Sequence, residues 1–314
     1  MSALGPQPLS APSLERLGPL RSVRTPVLDV AYVDAGPVDG PVAVLLHGFP
    51  YDIHSYVDVV PLLAQAGLRV IVPYLRGHGP TRFLDPVTPR SGQQAALGSD
   101  VVELLDALDV PRAVLAGYDW GGRAACVAAA LWPDRCVGLV TVNGYLIQDI
   151  STADCPLDPV LEAGFWYFFY FATERGRRGL QDNAREIARV IWSRNSPAWT
   201  FDDQTLDRAA EAFANDDYVD VVIHSYRHRL GLAVGSPRYE ALERRLEGQP
   251  PIAVPAITID GEADGNFPAT DGARDARRFV GDRQHRRVPN AGHNLPQEAP
   301  GAFAEAIIQL ARQN

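Results

Sequence analysis

Asp119 lies in Gly117-Tyr118-Asp119-Trp120-Gly121-Gly122, directly after the apolar run Ala113-Val114-Leu115-Ala116. The small-residue stretch 123–130 follows and suits a buried helix. A strand entering a glycine-framed turn and leaving as a helix lifts one side chain clear of the backbone, ready to act as a nucleophile. Gly117 and Gly121 fit a bend so tight that a Cβ at either place would meet its neighbours. A carboxylate that displaces a leaving group at saturated carbon becomes an alkyl ester. Asp119 therefore points to opening a strained epoxide ring or expelling a halide, rather than cleaving an ordinary ester or amide. An Asp here can also simply cap the following helix. The rest of the chain has to decide between the two.

His293, in Ala291-Gly292-His293-Asn294, falls third in a nucleophile–acid–base order along the chain. There it would take a proton from a water attacking the ester, which needs an imidazole near neutrality and a partner fixing its tautomer. Asp264, in Ile259-Asp260-Gly261-Glu262-Ala263-Asp264-Gly265, is the favoured partner, with Asp260 and Glu262 as competitors. The preceding strand ends at Asn143, whose neutral amide cannot stabilise an imidazolium as a carboxylate does. His47-Gly48-Phe49-Pro50 follows another strand, and its glycine lets backbone approach a ligand. The Phe49–Pro50 bond is one that can be cis.

These residues need a scaffold. Val42–Leu46, Arg69–Pro73, 113–116, 137–142 and 256–259 are short apolar runs. Helical patterns at 57–66 and 98–108 separate the first three, and such alternation predicts a parallel sheet covered on both faces. The spacing predicts a further helix over 269–279, a short strand at 286–288 and a final helix over 299–312. Residues 145–248 break the rhythm with helical, aromatic sequence at 165–171, 184–192, 205–213 and 218–230. We read them as a helical lid inserted into a core of 26–144 and 249–314, with 1–25 as an N-terminal extension.

Composition narrows the partners. With 314 residues, 46% of them apolar, the chain can bury a sizeable core. A net charge of −9 without a basic stripe argues against nucleic acid and anionic membranes. All 29 basic residues are Arg, which excludes Schiff-base lysine chemistry and a P-loop lysine. Three cysteines without C-x-x-C spacing suit a reducing compartment. The N-terminal residues lack a signal-peptide pattern, so a cytoplasmic location is expected. The seven histidines come without a carboxylate cluster, and neither a metal nor a cofactor is expected.

Over residues 26–312 the chain resembles the α/β-hydrolase superfamily, and within it the epoxide hydrolases. The resemblance rests on H-G-F-P at 47–50, R-G-H-G at 76–79, G-Y-D-W-G-G at 117–122, G-E-A-D at 261–264 and G-H-N-x-P-Q-E at 292–298. It implies an α/β-hydrolase fold with a mostly parallel sheet and an inserted lid. It also implies a catalytic group of Asp119, His293 and Asp264, with the N–H groups of Phe49 and Trp120 as an oxyanion hole. Epoxide hydrolases carry two lid tyrosines that donate to the epoxide oxygen. Trp166-Tyr167-Phe168-Phe169-Tyr170-Phe171 resembles the first segment, with Tyr167 in the tyrosine place and Tyr170 serving if the helix is rotated. His224-Ser225-Tyr226-Arg227 resembles the second, through Tyr226. A phenol, with an ordinary pKa of about 10, can assist an alkoxide leaving group and stay protonated at neutral pH.

Trp166, Phe49 and Tyr170 are expected to wall a pocket for a small apolar epoxide, which water converts to a vicinal diol; the oligomeric state is left open. Tyr118 departs from the pattern, since many relatives have His there. Two other readings share the scaffold. Haloalkane- or haloacid-type dehalogenases use the same Asp nucleophile, but the haloalkane enzymes show Asn where this chain has Phe49. Fluoroacetate-type dehalogenases share H-G-F-P but resemble D-R after the nucleophile and His-Trp in the lid, where this chain has Asp119-Trp120 and Trp166-Tyr167. A non-catalytic ligand receptor built on the same fold is the other.

Overall fold

The computed structural model describes residues 16–313. The proposed extension 1–25 therefore lies largely outside the described residues. Its last part is not an extension: β1 (Leu20–Arg24) pairs antiparallel with β2 (Leu28–Ala35), which the sequence reading assigned no strand. β2 keeps Leu28, Val30, Ala31, Tyr32 and Val33 buried, so the hairpin closes one side of the core.

The chain continues through β3 (Val42–Leu46), α1 (Val59–Gln65), β4 (Arg69–Pro73), the two-residue β5 (Arg82–Phe83), α2 (Gln94–Ala107), β6 (Ala113–Gly117), α3 (Asp119–Leu131) and β7 (Cys136–Val142). Six helices come next: α4 (Pro159–Gly164), α5 (Trp166–Ala172), α6 (Glu174–Asn195), α7 (Asp203–Ala210), α8 (Tyr218–Arg229) and α9 (Glu240–Glu247). Then follow β8 (Ala256–Gly261), β9 (Arg283–Val288), α10 (Leu295–Glu298) and α11 (Pro300–Arg312). The strands form one sheet ordered β1-β2-β4-β3-β6-β7-β8-β9, with β5 beside β2. Its pairs are antiparallel from β1 to β4 and parallel from there on, as the apolar strand runs require.

This order places the site. The chain leaves β3 for one side of the sheet and, from β6 onward, moves to the other. A crevice opens outside the carboxyl ends of strands at such a switch point. Leu46 of β3 pairs with Gly117 of β6, so the loops carrying Gly48-Phe49 and Tyr118-Asp119 leave the sheet side by side. Behind them α3 sits close to the strands because its inner face is Ala124, Ala125, Ala128 and Ala129, all buried. Gly98 of α2 completes the contact, since a Cβ there would lie 2.3 Å from Val127 Cγ1.

The helix expected over 269–279 does not form, and only a 3-10 turn at Ala276–Arg278 remains. Gly272 turns left-handed at φ +75° and packs against His285, so helical φ/ψ cannot run through it. The pattern at 184–192 is the second half of a longer helix, α6, interrupted where Asn183 leaves helical geometry.

Candidate active site

Asp119 holds φ +50°, a left-handed conformation that is uncommon for a non-glycine residue. Its neighbours leave no alternative path. A Cβ on Gly121 would lie 1.9 Å from the Leu46 carbonyl oxygen, and one on Gly48 would lie 2.5 Å from Asp119 Cβ. The glycine of the His47–Pro50 loop thus admits the Asp119 side chain itself. The Phe49 N–H donates to Asp119 Oδ1 at 2.8 Å, and the Phe49–Pro50 bond is cis. Trp192 of α6 ties the same loop to the inserted helices by donating from Nε1 to the Pro50 carbonyl at 2.9 Å.

Asp264 and His293 arrive from loops after β8 and β9. Asp264 Oδ1 accepts the N–H groups of Asn266 and Phe267, each at 2.8 Å. Its Oδ2 faces His293 Nδ1 at 2.9 Å and accepts from Asn143 Nδ2 at 3.2 Å. His293 Nε2 points the other way and lies 3.7 Å from Asp119 Oδ2. Of the competing carboxylates, Asp260 accepts from Thr270 instead, and Glu262 pairs with Arg287. Asn143 joins the group through its amide.

Glu298, the last residue of the 292–298 motif, fixes the histidine loop. Its Oε2 accepts the Gly292 N–H at 2.7 Å, and its Oε1 accepts the Ser196 hydroxyl at 2.6 Å and the Asn294 N–H at 3.1 Å. The sequence reading quoted this residue without a role.

Electrostatics follow from the geometry. Burial alone would raise the Asp119 pKa, but the His293 imidazole and the N–H groups of Phe49 and Trp120 outweigh it and hold the carboxyl below its ordinary value. Burial works against charge on His293 too. The Asp264 and Asp119 carboxylates override it and push the imidazole up to about 10. The resting pair is therefore an imidazolium beside a carboxylate.

Of the two tyrosines from the inserted helices, Tyr167 lines the same cavity as Asp119 and His293, and Tyr226 does not. Tyr226 of α8 is fully buried, accepts from Trp120 Nε1 at 3.3 Å, and has its ring 5.4 Å from those of Tyr167 and Phe49. Burial, then Asp119, pushes the Tyr167 hydroxyl upward; burial does the same for Tyr226, where Tyr167 and Asp119 add to it. Both phenols stay protonated far above neutral pH.

A small cavity opens onto Asp119, Trp120, Tyr167 and His293. Its wall differs from the expected one. Trp166 and Tyr170 sit one turn apart and pack on each other at 5.8 Å on the outer flank of α5, and neither lines the cavity. Phe49 packs beneath the tyrosines, at 6.4 Å from the Tyr167 ring, also outside the lining. The apolar wall comes from Phe165, Phe168, Leu146 and Phe267, with Arg123 and Arg229 between them; of these, sequence points only to Phe165 and Phe168, as part of the aromatic run 165–171. Phe267 stacks on the His293 ring at 5.4 Å.

Among the described residues no group of three or more His, Cys, Asp or Glu is placed to hold a metal, and no helix is long and apolar enough to cross a membrane.

Comparison with known proteins agrees with this architecture. Residues 41–300 match the family of the alpha/beta hydrolase fold. Epoxide hydrolase A of Mycobacterium tuberculosis is 29% identical, over 96% of this chain and 98% of its own length. A candidate epoxide hydrolase from Klebsiella pneumoniae, known as a crystal structure, superposes with a TM-score of 0.91 at 48% identity, covering 93% of this chain and 97% of its own. A haloalkane dehalogenase of Mycobacterium marinum is 37% identical over a shorter stretch, 39% of this chain and 40% of its own. The chain belongs to the α/β-hydrolase fold family and groups there with epoxide hydrolases.

Proposed function

We propose that this enzyme opens a small epoxide to a vicinal diol through an ester on Asp119. The observation that carries the reading is a carboxylate in a strained turn, its side chain 14% exposed, with backbone N–H donors on one side and an imidazole on the other. A helix-capping Asp would not need that enclosure. Asp119 Oδ attacks one ring carbon as the C–O bond on its far side breaks. Tyr167 and Tyr226 stabilise the emerging alkoxide, which takes up a proton. Alkylation removes the Asp119 charge, so His293 loses one of the two carboxylates that hold it protonated. The proton it gives up balances the one the alkoxide gains. Neutral His293, oriented by Asp264, then takes a proton from water, and the hydroxide attacks the ester carbonyl. The N–H groups of Phe49 and Trp120 hold the oxyanion until the diol leaves.

Dehalogenation is the second reading, favoured by the haloalkane dehalogenase similarity and by Trp120 next to the nucleophile. Against it, Trp120 Nε1 donates to the Tyr226 hydroxyl, and the place of a second side-chain donor is taken by Phe49. A panel of styrene-type, aliphatic and cyclic epoxides beside haloalkanes tests the choice. Diol without halide release is expected; halide release without diol would overturn it.

A further inference from the structure

Two cations stand at the cavity with no ion pair to an acid among the described residues, and Asp119, one turn from Arg123, acts on it only through space. Arg123 lies one turn beyond Asp119 on α3 and is only 9% exposed. Among the described residues its hydrogen bond runs from Nη1 to Gln94 Oε1 at 3.4 Å, and that oxygen already accepts the Gln148 N–H at 3.0 Å. Arg229, at the end of α8, donates from Nε to Gln148 Oε1 at 3.0 Å and lies 4.3 Å over the Phe168 ring. Among the described residues, neither donates a hydrogen bond to a carboxylate. Other arginines in this protein do: Arg76, more deeply buried, is bidentate on Asp100, and Arg69 is bidentate on Asp34.

Both guanidinium-bearing residues line the cavity that holds Asp119. Both also line an outer recess that shares Leu146, Phe165, Phe168 and Phe267 with it. The acids of that recess are engaged locally: Asp149 accepts from the Ser151 N–H and Glu162 from the Leu157 N–H. A buried charge without a counter-ion is costly unless something else supplies one. Burial, reinforced by Arg229 and only partly offset by Asp119, pushes the Arg123 pKa down to about 9, which leaves it charged at neutral pH. The positive pair is also local, since the chain as a whole carries −9.

We propose that the substrate is a small epoxide bearing a carboxylate, held by Arg123 and Arg229 with its oxirane toward Asp119. A planar monoanion matches the guanidinium fork, and the aromatic wall takes the carbon frame. This rests on the epoxide-opening reading and replaces its wholly apolar substrate with one that is apolar along its length and charged at one end.

The test compares kcat/KM for 3,4-epoxybutanoate and 3,4-epoxybutanamide, alike in size and different in charge, on the full chain. The acid should be preferred in the wild type. Arg123→Gln and Arg229→Gln should each lower the acid-to-amide ratio by about 10- to 100-fold, the effect of losing hydrogen bonds to a charged group. Arg123→Lys should keep part of it. An amide hydrolysed as well as the acid, or a ratio unmoved in both Gln variants, overturns the proposal while leaving epoxide opening intact. Calorimetry with butanoate and butanamide reads the anion seat without turnover: butanoate alone should bind, more weakly in both Gln variants. Butanoate binding with no diol from any epoxide would instead overturn the reaction, and with it the substrate named here.

Discussion

His293 Nε2 lies 3.7 Å from Asp119 Oδ2 while its Nδ1 faces Asp264 Oδ2 at 2.9 Å, so one imidazole is shared by two carboxylates. With both acids charged, the imidazole is held protonated up to about 10. On the proposed mechanism, esterification of Asp119 removes one of them, so that the base becomes available in the step that creates its task. In single-turnover measurements, ester formation should persist at acid pH, as long as Asp119 is ionised. Ester breakdown should rise with pH on a limb well below 10. Breakdown that begins only near 10 would contradict this account.

The same contacts set a pH dependence of stability. His293 has a folded pKa above its ordinary 6.5, so its contribution is complete below 6.5 and lost as pH rises toward about 10. Asp119 has a folded pKa below its ordinary 3.8, so its contribution is present above 3.8 and lost as pH falls through the lower value. Thermal melting should show the wild type losing more Tm between pH 6.5 and 10 than His293→Gln does. Parallel curves would show that the ion pair adds nothing.

Removing both phenols should slow ring opening by about 10²- to 10⁴-fold, the usual range for general acid assistance. Single-turnover alkylation of Asp119 in a Tyr167→Phe/Tyr226→Phe variant measures it. Ester breakdown should change far less, because neither hydroxyl is needed there. An unchanged alkylation rate would shift the reading toward dehalogenation.

Glu298 satisfies two backbone N–H groups of the histidine loop and the Ser196 hydroxyl of the segment after α6. Glu298→Ala should lower stability by about 1–3 kcal/mol, the cost of leaving buried donors unpaired. It should also slow ester breakdown more than ester formation, because the base is what it positions. Glu298→Gln, which retains an acceptor oxygen, should recover part of both. Equal loss in the two steps would mark a purely structural role.

Much of this was legible in the sequence because local rules and tertiary packing agree there. The G-x-D-x-G turn is set by sterics that act within a few residues. The apolar strand runs of the parallel sheet have no other stable home. β1 and β2 escaped because their pattern is ambiguous: Leu20–Arg24 is polar and mostly exposed, and pairs only along an edge. The helix expected at 269–279 failed because one left-handed glycine outweighs the pattern around it. The cavity wall was harder. All seven residues of 165–171 are aromatic, so type cannot say which faces inward; only the rotation of α5 turns Tyr167 and Phe168 to the cavity, beside Phe165 at its start, and Trp166 and Tyr170 away. Arg123 was hidden inside a small-residue run, and nothing local shows that an arginine lacks an acid partner.

The most direct test of the central claim follows oxygen. After many turnovers in heavy-oxygen water, the account predicts label in the Asp119 carboxylate, because each cycle places one water oxygen there before the diol leaves. Label found only in the diol, with Asp119 unlabelled, would mean that water attacks the epoxide directly and would contradict it.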